Sequence, residues 1–294
     1  MYADIFAVIA PILFCALIGF IWARTRQPFN QEFVSQLVLW VGSPCLIIGT
    51  LGKIDVSAAE LAEVAIAVLM MLVSTIFLSF VALKLLKLPV QAFLNSLVFP
   101  NTGNMGLPLA MFAFGEQGLA LALAIFILVS FSHFSLGVAF LSGSSPVRGS
   151  LRSPIVYAGA LAILLILTDS ALPLWLGNTV SLLGQISIPL MIFTLGVSLA
   201  SLRVEDVKRS AVLAVLRLGI GFAVGLAICE VLDLQGVMRG AVLIQSGMPV
   251  AVFNYLLALR YQQKPQAVAG VVVISTLISF ITLPLLLWIA MSPL

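Results

Sequence analysis

The stretch Phe99-Pro-Asn-Thr-Gly-Asn-Met-Gly-Leu-Pro108 interrupts an apolar segment, 92–114, that is long enough to cross a membrane as a helix. It contains two prolines, two glycines and two asparagines. Proline removes a backbone donor and clashes with the preceding turn, and glycine adds flexibility, so the stretch predicts a helix break. In hydrocarbon, irregular backbone persists only where it is buried or lines a cavity. The sequence therefore predicts a broken helix at a functional site within a membrane.

The composition of the whole chain supports a membrane environment. Of its 294 residues, 62% are hydrophobic and 9% are charged, whereas a soluble domain keeps roughly a quarter of its residues charged. Hydrocarbon leaves only helices or closed barrels, and the apolar runs are much longer than the ~10-residue alternating strands of a barrel. An all-α membrane protein is predicted. The net charge of +3 is too small to indicate a nucleic-acid partner.

Ten transmembrane helices are predicted from apolar runs of about 20 residues. Their boundaries are 5–24, 33–52, 61–85, 92–114, 117–141, 153–170, 179–202, 210–232, 236–258 and 267–290. The connections between them are short, which leaves no room for a soluble domain.

The basic residues orient these helices, because Lys and Arg concentrate in cytoplasmic loops. With the N-terminus outside, the cytoplasmic ends carry eleven of them, Arg24, Arg26, Lys84, Lys87, Arg148, Arg152, Arg203, Lys208, Arg209, Arg260 and Lys264. The outer ends keep Lys53 and Arg239. Acidic residues favour the outside, at Asp4, Asp55, Glu60, Glu63, Glu116, Asp169, Glu230 and Asp233. Both termini of a multi-pass cell-membrane protein are thus predicted to be extracytoplasmic. The first helix is expected to be retained, because no basic n-region or cleavage site marks a signal peptide.

An internal repeat is indicated by Gly106-Leu-Pro-Leu-Ala-Met-Phe112 and Gly247-Met-Pro-Val-Ala-Val-Phe253. The two segments lie in the fourth and ninth predicted helices, so they enter the membrane in opposite directions. Pro44 and Pro189 match in the second and seventh helices. Inverted repeats of this kind are frequent in secondary transporters. We predict two inverted five-helix repeats, at residues 1–145 and 146–294, that share the lipid bilayer.

A second break is predicted in the ninth helix at Gln245-Ser-Gly-Met-Pro249. Two helix N-termini would then meet inside the membrane, and their free amides and partial positive charge favour an anionic group such as a carboxylate. The candidate binding residues are Asn101, Thr102, Gly103, Asn104, Gln245, Ser246 and Gly247, and the candidate break residues are Pro100, Pro108 and Pro249. The polar side chains have an alternative role, which is to satisfy the broken backbone.

The Pro-Asn-Thr-Gly-Asn-Met-Gly-Leu-Pro-Leu stretch at 100–109, within ten predicted helices, resembles the auxin efflux carrier family, especially its short bacterial members. The resemblance implies a fold shared with bile acid–sodium symporters, in which helices 4 and 9 are broken and cross. It also implies a transport domain of helices 3–5 and 8–10 that moves against a scaffold of helices 1, 2, 6 and 7, often in a homodimer. Family substrates are organic anions, which are auxin in plants and malate or malonate for some bacterial members.

The sequence also departs from this family in three places. The large cytoplasmic loop of long plant members is absent. The acidic–lysine pair on their third helix is not evident, because Glu63 and Lys84 fall at opposite ends of that helix. Gln245 stands where sodium-coupled relatives carry an acid. The coupling ion, H+ or Na+, is therefore left open.

Four further residues are candidates for ion coupling or anion attraction: His133, Arg217, Ser130 and Ser132. Arg217 lies about two turns inside the eighth helix, where a charge is costly without a partner. It would either attract an anionic substrate or snorkel to the headgroups. His133, the single histidine, suits proton coupling or a hydrogen bond between helices. Serines in the fifth and tenth helices would either line a cation site or join helices.

Rival functions are an anion channel and an intramembrane serine hydrolase with Ser246 as nucleophile and His133 as base. No metal-ligand spacing or cofactor motif is present, and the three cysteines fall in apolar runs. The sequence favours a secondary active transporter of a small organic anion that works by alternating access, of the elevator type.

Overall fold

The computed structural model describes residues 2–51, 57–142, 153–168 and 170–292. These residues form helices, and within them the only β-type pairing is one isolated bridge. We number the α-helices α1 Tyr2–Arg24, α2 Gln31–Leu37, α3 Ser43–Leu51, α4 Ala58–Leu85, α5 Val90–Val98, α6 Leu107–Ser132, α7 Val138–Ser142, α8 Pro154–Leu167, α9 Leu174–Gln185, α10 Ser187–Ser201, α11 Val207–Val231, α12 Gly236–Ser246, α13 Val252–Arg260 and α14 Pro265–Met291. Three π-helical segments join some of them, at Val38–Gly42, Thr102–Gly106 and His133–Gly137.

Seven helices in the described ranges are long and apolar enough to cross a membrane. The sequence predicted ten spans, and the difference has a local cause. The predicted ninth span is split into two short helices, the predicted fourth span begins with the nine-residue α5, and α8 has only 14 residues. The remainder of the fourth span continues into the fifth as one 41-residue helical segment, Thr102–Ser142.

Gly115 divides that long segment. A straight 41-residue helix would be about 60 Å long, roughly twice the hydrocarbon thickness. Gly115 has φ 65° and ψ −151°, a conformation that glycine tolerates because it lacks Cβ. It falls in the gap between the predicted fourth and fifth spans. The chain therefore changes direction at this residue.

The helices pack in two groups. In one, α1 packs on α10, and α3 packs on both α8 and α9. Gly19 and Gly196 permit the α1–α10 contact, because a Cβ at either position would overlap a backbone carbonyl of the other helix. In the other group α11 packs on α4 and α14, and α12 packs on α6. Large apolar side chains remain exposed on the outside, such as Phe6 at 67% and Ile281 at 79%, as expected for lipid contact.

The matched heptapeptides occupy different structural positions. Gly106–Phe112 lies in the helix that follows the first break, whereas Gly247–Phe253 is itself the second break. Pro44 and Pro189 correspond better, because each follows an irregular point in its helix. Those two points touch, since a Cβ on Gly42 would lie 2.4 Å from the hydroxyl of Ser187.

Some sequence predictions fall outside the described residues. The boundary between the predicted repeats, 145/146, is one of them. The loop charges Lys53, Asp55, Arg148, Arg152 and Asp169 are the others.

Candidate functional site

The two helix breaks pair with each other through their backbones. The N–H of Asn101 donates to the carbonyl of Pro249 at 2.8 Å, and the N–H of Ala251 donates to the carbonyl of Phe99 at 3.3 Å. These bonds form an antiparallel bridge between Pro100 and Val250. Polar backbone groups that leave a helix inside a membrane need partners, and here each break supplies them to the other.

The first break is also stabilised by its own side chain. Asn101 is the N-cap of the π-helical segment, and its Oδ1 accepts from the N–H of Asn104 at 3.2 Å. Asn101 is buried, and its Nδ2 has no hydrogen-bond partner among the described residues. One buried donor at this break thus has no acceptor among the described residues.

The second break relies on tertiary contacts. Ala251, the N-cap of α13, provides no side-chain cap. Instead, the N–H of Val250 donates to Ser275 Oγ at 3.1 Å. Asn254 Nδ2 donates to the Phe99 carbonyl at 3.1 Å, which ties α13 to the first break.

A cavity of about 880 Å³ opens beside the paired breaks. Its wall includes Pro100, Asn101, Thr102, Gly103, Asn104, Ser130, His133, Val252 and Phe253. Residues of all three π-helical segments contribute to the wall, and such segments are frequent at functional sites. Of its lining residues only Glu32 and Arg260 carry a permanent full charge, and both are exposed at the mouth.

Two helix N-termini lie on this wall, at Thr102 and at Val252. The first amides of a helix lack partners within it and carry a partial positive charge. The cavity is therefore electropositive at its inner end without a basic side chain there. This arrangement suits an anion of small size.

His133 joins the cavity wall to both breaks. Its Nε2 lies 2.9 Å from Asn254 Oδ1, and its ring stacks on Phe99 with centroids 4.2 Å apart. Because Asn254 Nδ2 already donates to a carbonyl, its Oδ1 accepts and His133 Nε2 carries the hydrogen. The histidine thus has the interhelical bond that the sequence offered as one of its two roles.

Three of the candidate binding residues lie on the opposite face of the breaks. Gln245, Ser246 and Gly247 form the C-terminal end of α12 and are absent from the cavity wall. Gln245 is fully buried against Gly106, and Ser246 Oγ donates to the Leu243 carbonyl at 3.2 Å. The structure therefore brings 101–104 to the cavity and places 245–247 behind it.

Arg217 lies on that opposite face too. It is 1% exposed, and its guanidinium donates to four backbone carbonyls at the ends of α5 and α12. It neither lines the cavity nor snorkels to the surface. Among the other candidates, Ser132 Oγ donates to Leu128 in its own helix, and Pro108 lies in the first turn of α6.

Comparison with known proteins bears on what this site does. The family model described as membrane transport protein matches residues 4–146 and 138–287. This chain belongs to the membrane transport protein family. The family is of the auxin efflux carrier type that the stretch at 100–109 indicated. The chain is also similar to an uncharacterized transporter of Methanocaldococcus jannaschii, with 22% identity over 97% of this chain and 98% of that protein.

The structure does not bring together the two residues of the intramembrane serine hydrolase that the sequence left as an alternative. Ser246 Oγ and His133 Nε2 have separate partners, the Leu243 carbonyl and Asn254 Oδ1. Acyl chemistry requires the nucleophile and its base in contact. Within the described residues, no group of three or more His, Cys, Asp or Glu is placed to hold a metal ion.

The sequence analysis did not predict two polar contacts of this transport protein. Asn254 follows the second heptapeptide directly, and a lone asparagine in an apolar half-helix was the available signal. Gln31 Nε2 donates to Ser198 Oγ at 2.9 Å beside the cavity mouth. No local pattern pairs these two residues, because they are 167 positions apart.

Proposed function

We propose that this membrane transport protein is a secondary active transporter of a small organic anion, with a carboxylate as the bound group. The observation that carries the proposal is the position of two helix N-termini, at Thr102 and Val252, on the wall of one cavity. Each N-terminus carries about half a positive charge, and at the first of them the amides of Thr102 and Asn104 are already bonded to the Pro100 carbonyl and to Asn101 Oδ1. A carboxylate between them would gain hydrogen bonds from both helices.

The surrounding side chains favour this class of ligand. Asn101 Nδ2 is a buried donor without a partner in the described ranges of the chain. Thr102 and Ser130 add hydroxyl groups, and Phe126 and Val129 add apolar surface for a carbon skeleton. Acidic side chains would repel an anion, and among the described residues the only one on this wall is the exposed Glu32. An auxin-like acid, malate and malonate all fit these requirements.

The proposed architecture is two inverted five-helix repeats in which the broken fourth and ninth helices cross. Support comes from the similar form of the two breaks, each with a short helix before it and a new helix after it. The mouth of the cavity carries Glu32 and Arg260, at helix ends that the loop charges assign to the cytoplasm. On this orientation the cavity faces inward and both termini lie outside the cell membrane.

Alternating access would be of the elevator type. The two packing groups support the division into a scaffold and a transport domain that the family resemblance implies. The cavity lies between them, because Val38 and Met191 come from the first group and Asn101 and His133 from the second. A homodimer is proposed from the resemblance. The coupling ion, H+ or Na+, stays open.

Transport in liposomes tests this proposal. Purified protein would be reconstituted and given labelled mono- and dicarboxylates under imposed proton and sodium gradients. We expect saturable uptake that exchanges with an internal pool of the same anion. Throughput far above carrier turnover would indicate a channel, and absence of saturable uptake for every anion under every gradient would contradict the proposal. Gly219→Ala is a matched control, because a Cβ at Gly219 meets no atom within 4 Å.

A further inference from the structure

Arg217 binds the ends of two helices that the chain places far apart in sequence. Its Nη1 donates to the carbonyls of Leu97 at 2.7 Å and Val98 at 3.4 Å, at the end of α5. Its Nη2 donates to the carbonyl of Ser246, and its Nε donates to that of Met248 at 3.2 Å, at the end of α12. One side chain from α11 therefore holds both helices at the point where they break.

These carbonyls also compensate the charge. A buried cation needs a partner, yet no acidic side chain pairs with Arg217 among the described residues. The last carbonyls of a helix carry roughly half a negative charge. Two such ends together offset one guanidinium. The charge of Arg217 is thus balanced by α5 and α12 alone.

The sequence of α11 makes room for this contact. Gly221 and Gly225 follow Arg217 at intervals of four, so the three residues share one helix face. A Cβ on Gly221 would lie 2.2 Å from the Ser246 carbonyl oxygen and 2.7 Å from Arg217 Nη2. A Cβ on Gly225 would lie 2.0 Å from Ser246 Oγ. Both glycines are therefore required for α12 to reach the guanidinium.

We propose that Arg217 is the positioning residue of the transport site. It fixes the two breaks against each other, and it neutralises the negative helix ends so that the positive ends dominate the field in the cavity. The effect on the field in the cavity rests on the proposed anion transport, whereas the fixing of the two breaks does not. Because α5, α11 and α12 are joined at one guanidinium, the site moves with them as a single body.

Arginine has a geometry that lysine cannot reproduce here. A guanidinium spreads five donors over a rigid plane and reaches carbonyls on two helices, whereas an ammonium is a compact point charge. Arg217→Lys therefore keeps the charge but loses some of the hydrogen bonds that hold α5 and α12 together. Arg217→Gln removes the charge as well. Lys208→Gln is the matched control, because it removes a basic charge from an exposed position of the same helix.

Hydrogen exchange, measured by mass spectrometry on the purified full chain, tests without any ligand whether Arg217 holds the two breaks together. The reporters are the amides of Asn101, Val250 and Ala251, which pair across the breaks or with Ser275. Relative to peptides of α1, we expect exchange at least tenfold faster in Arg217→Gln, several-fold faster in Arg217→Lys, and unchanged in Lys208→Gln. Unchanged exchange at the breaks in both Arg217 variants would overturn the proposal. If Arg217→Gln does not fold, Arg217→Lys decides, and uniform acceleration throughout the chain would also overturn it.

Malonate binding tests the effect of charge. We expect its Kd to rise at least tenfold in Arg217→Gln and less than threefold in Arg217→Lys. Equal weakening in both variants would overturn the electrostatic part. If the wild type binds none of a panel of mono- and dicarboxylates, the proposed function fails, while the exchange result still decides whether Arg217 positions the breaks.

Discussion

The two faces of the paired breaks differ in how their helix ends are satisfied. On one face the guanidinium of Arg217, which is 1% exposed, donates to carbonyls at the C-terminal ends of α5 and α12. On the other face the N-terminal ends at Thr102 and Val252 border a cavity of about 880 Å³. Negative ends are neutralised inside the protein, and positive ends border the cavity in which we propose that an anion binds. The comparison teaches that a fully buried charge can shape a site without touching it.

The largest expected effect comes from adding a side chain on the face of the breaks that Arg217 occupies. Gly221→Ala places a Cβ against the Ser246 carbonyl and the guanidinium of Arg217. Overpacking of this kind costs about 3 kcal/mol in the free energy of unfolding. Gly219→Ala, which meets no atom within 4 Å, is the control and should be neutral or slightly stabilising. Thermal unfolding in detergent compares them, and equal melting temperatures would show that the close approach is not required.

Next in size is the loss of the link between His133 and the breaks. Asn254→Ala removes two buried hydrogen bonds, to His133 Nε2 and to the Phe99 carbonyl. Leaving the histidine without its partner should destabilise the fold by about 2 kcal/mol. Asn178→Ala, at an exposed position of α9, should change nothing measurable. Thermal unfolding again measures both, and a neutral Asn254→Ala would assign the asparagine no structural role.

On the face that borders the cavity, we expect a smaller change in free energy, and this change is in ligand binding. Asn101→Asp keeps the oxygen that caps Asn104 and adds a negative charge beside the cavity. Affinity for a carboxylate should fall at least tenfold, or about 1.4 kcal/mol, with little change in melting temperature. Asn101→Ala separates the roles, since it loses the cap without adding charge. Equal carboxylate affinity in wild type and Asn101→Asp would contradict an anion site on this face.

The smallest effect is expected at the cavity mouth. Ser198→Ala removes the acceptor of Gln31 Nε2, and the amide is only half-buried and free to turn toward water. A cost of about 0.5 kcal/mol follows. Melting temperature and carboxylate affinity should both stay close to wild type. A large loss of affinity would mean that the mouth, and not the inner end, selects the ligand.

Much of the fold and part of the site were predictable from residue patterns. Pro100 and Pro249 located the two breaks, because proline cannot continue a helix where its ring clashes and its N–H is missing. The alternative role of the polar side chains, which is to satisfy the broken backbone, was also expected, and Asn101 takes it by capping Asn104. The membrane transport family was indicated by the same stretch, and the matches over 4–146 and 138–287 confirm it. These features are local, so a linear sequence reveals them.

The rest depended on contacts between distant segments. The sequence aligned Gly106–Phe112 with Gly247–Phe253, yet only the second is a break. Gln245 and Ser246 were expected beside a ligand, whereas they end a helix that faces Arg217. Which face of a break points to a cavity is decided by tertiary packing, and no periodicity in the chain records it.

The central claim is that an anion binds between the N-termini at Thr102 and Val252. An experimental structure with the tightest-binding carboxylate of a panel tests it most directly. The account predicts ligand oxygens beside both N-termini, within hydrogen-bond distance of amides that have no acceptor in the protein. Ligand density on the opposite face, beside Gln245 and Arg217, would contradict it.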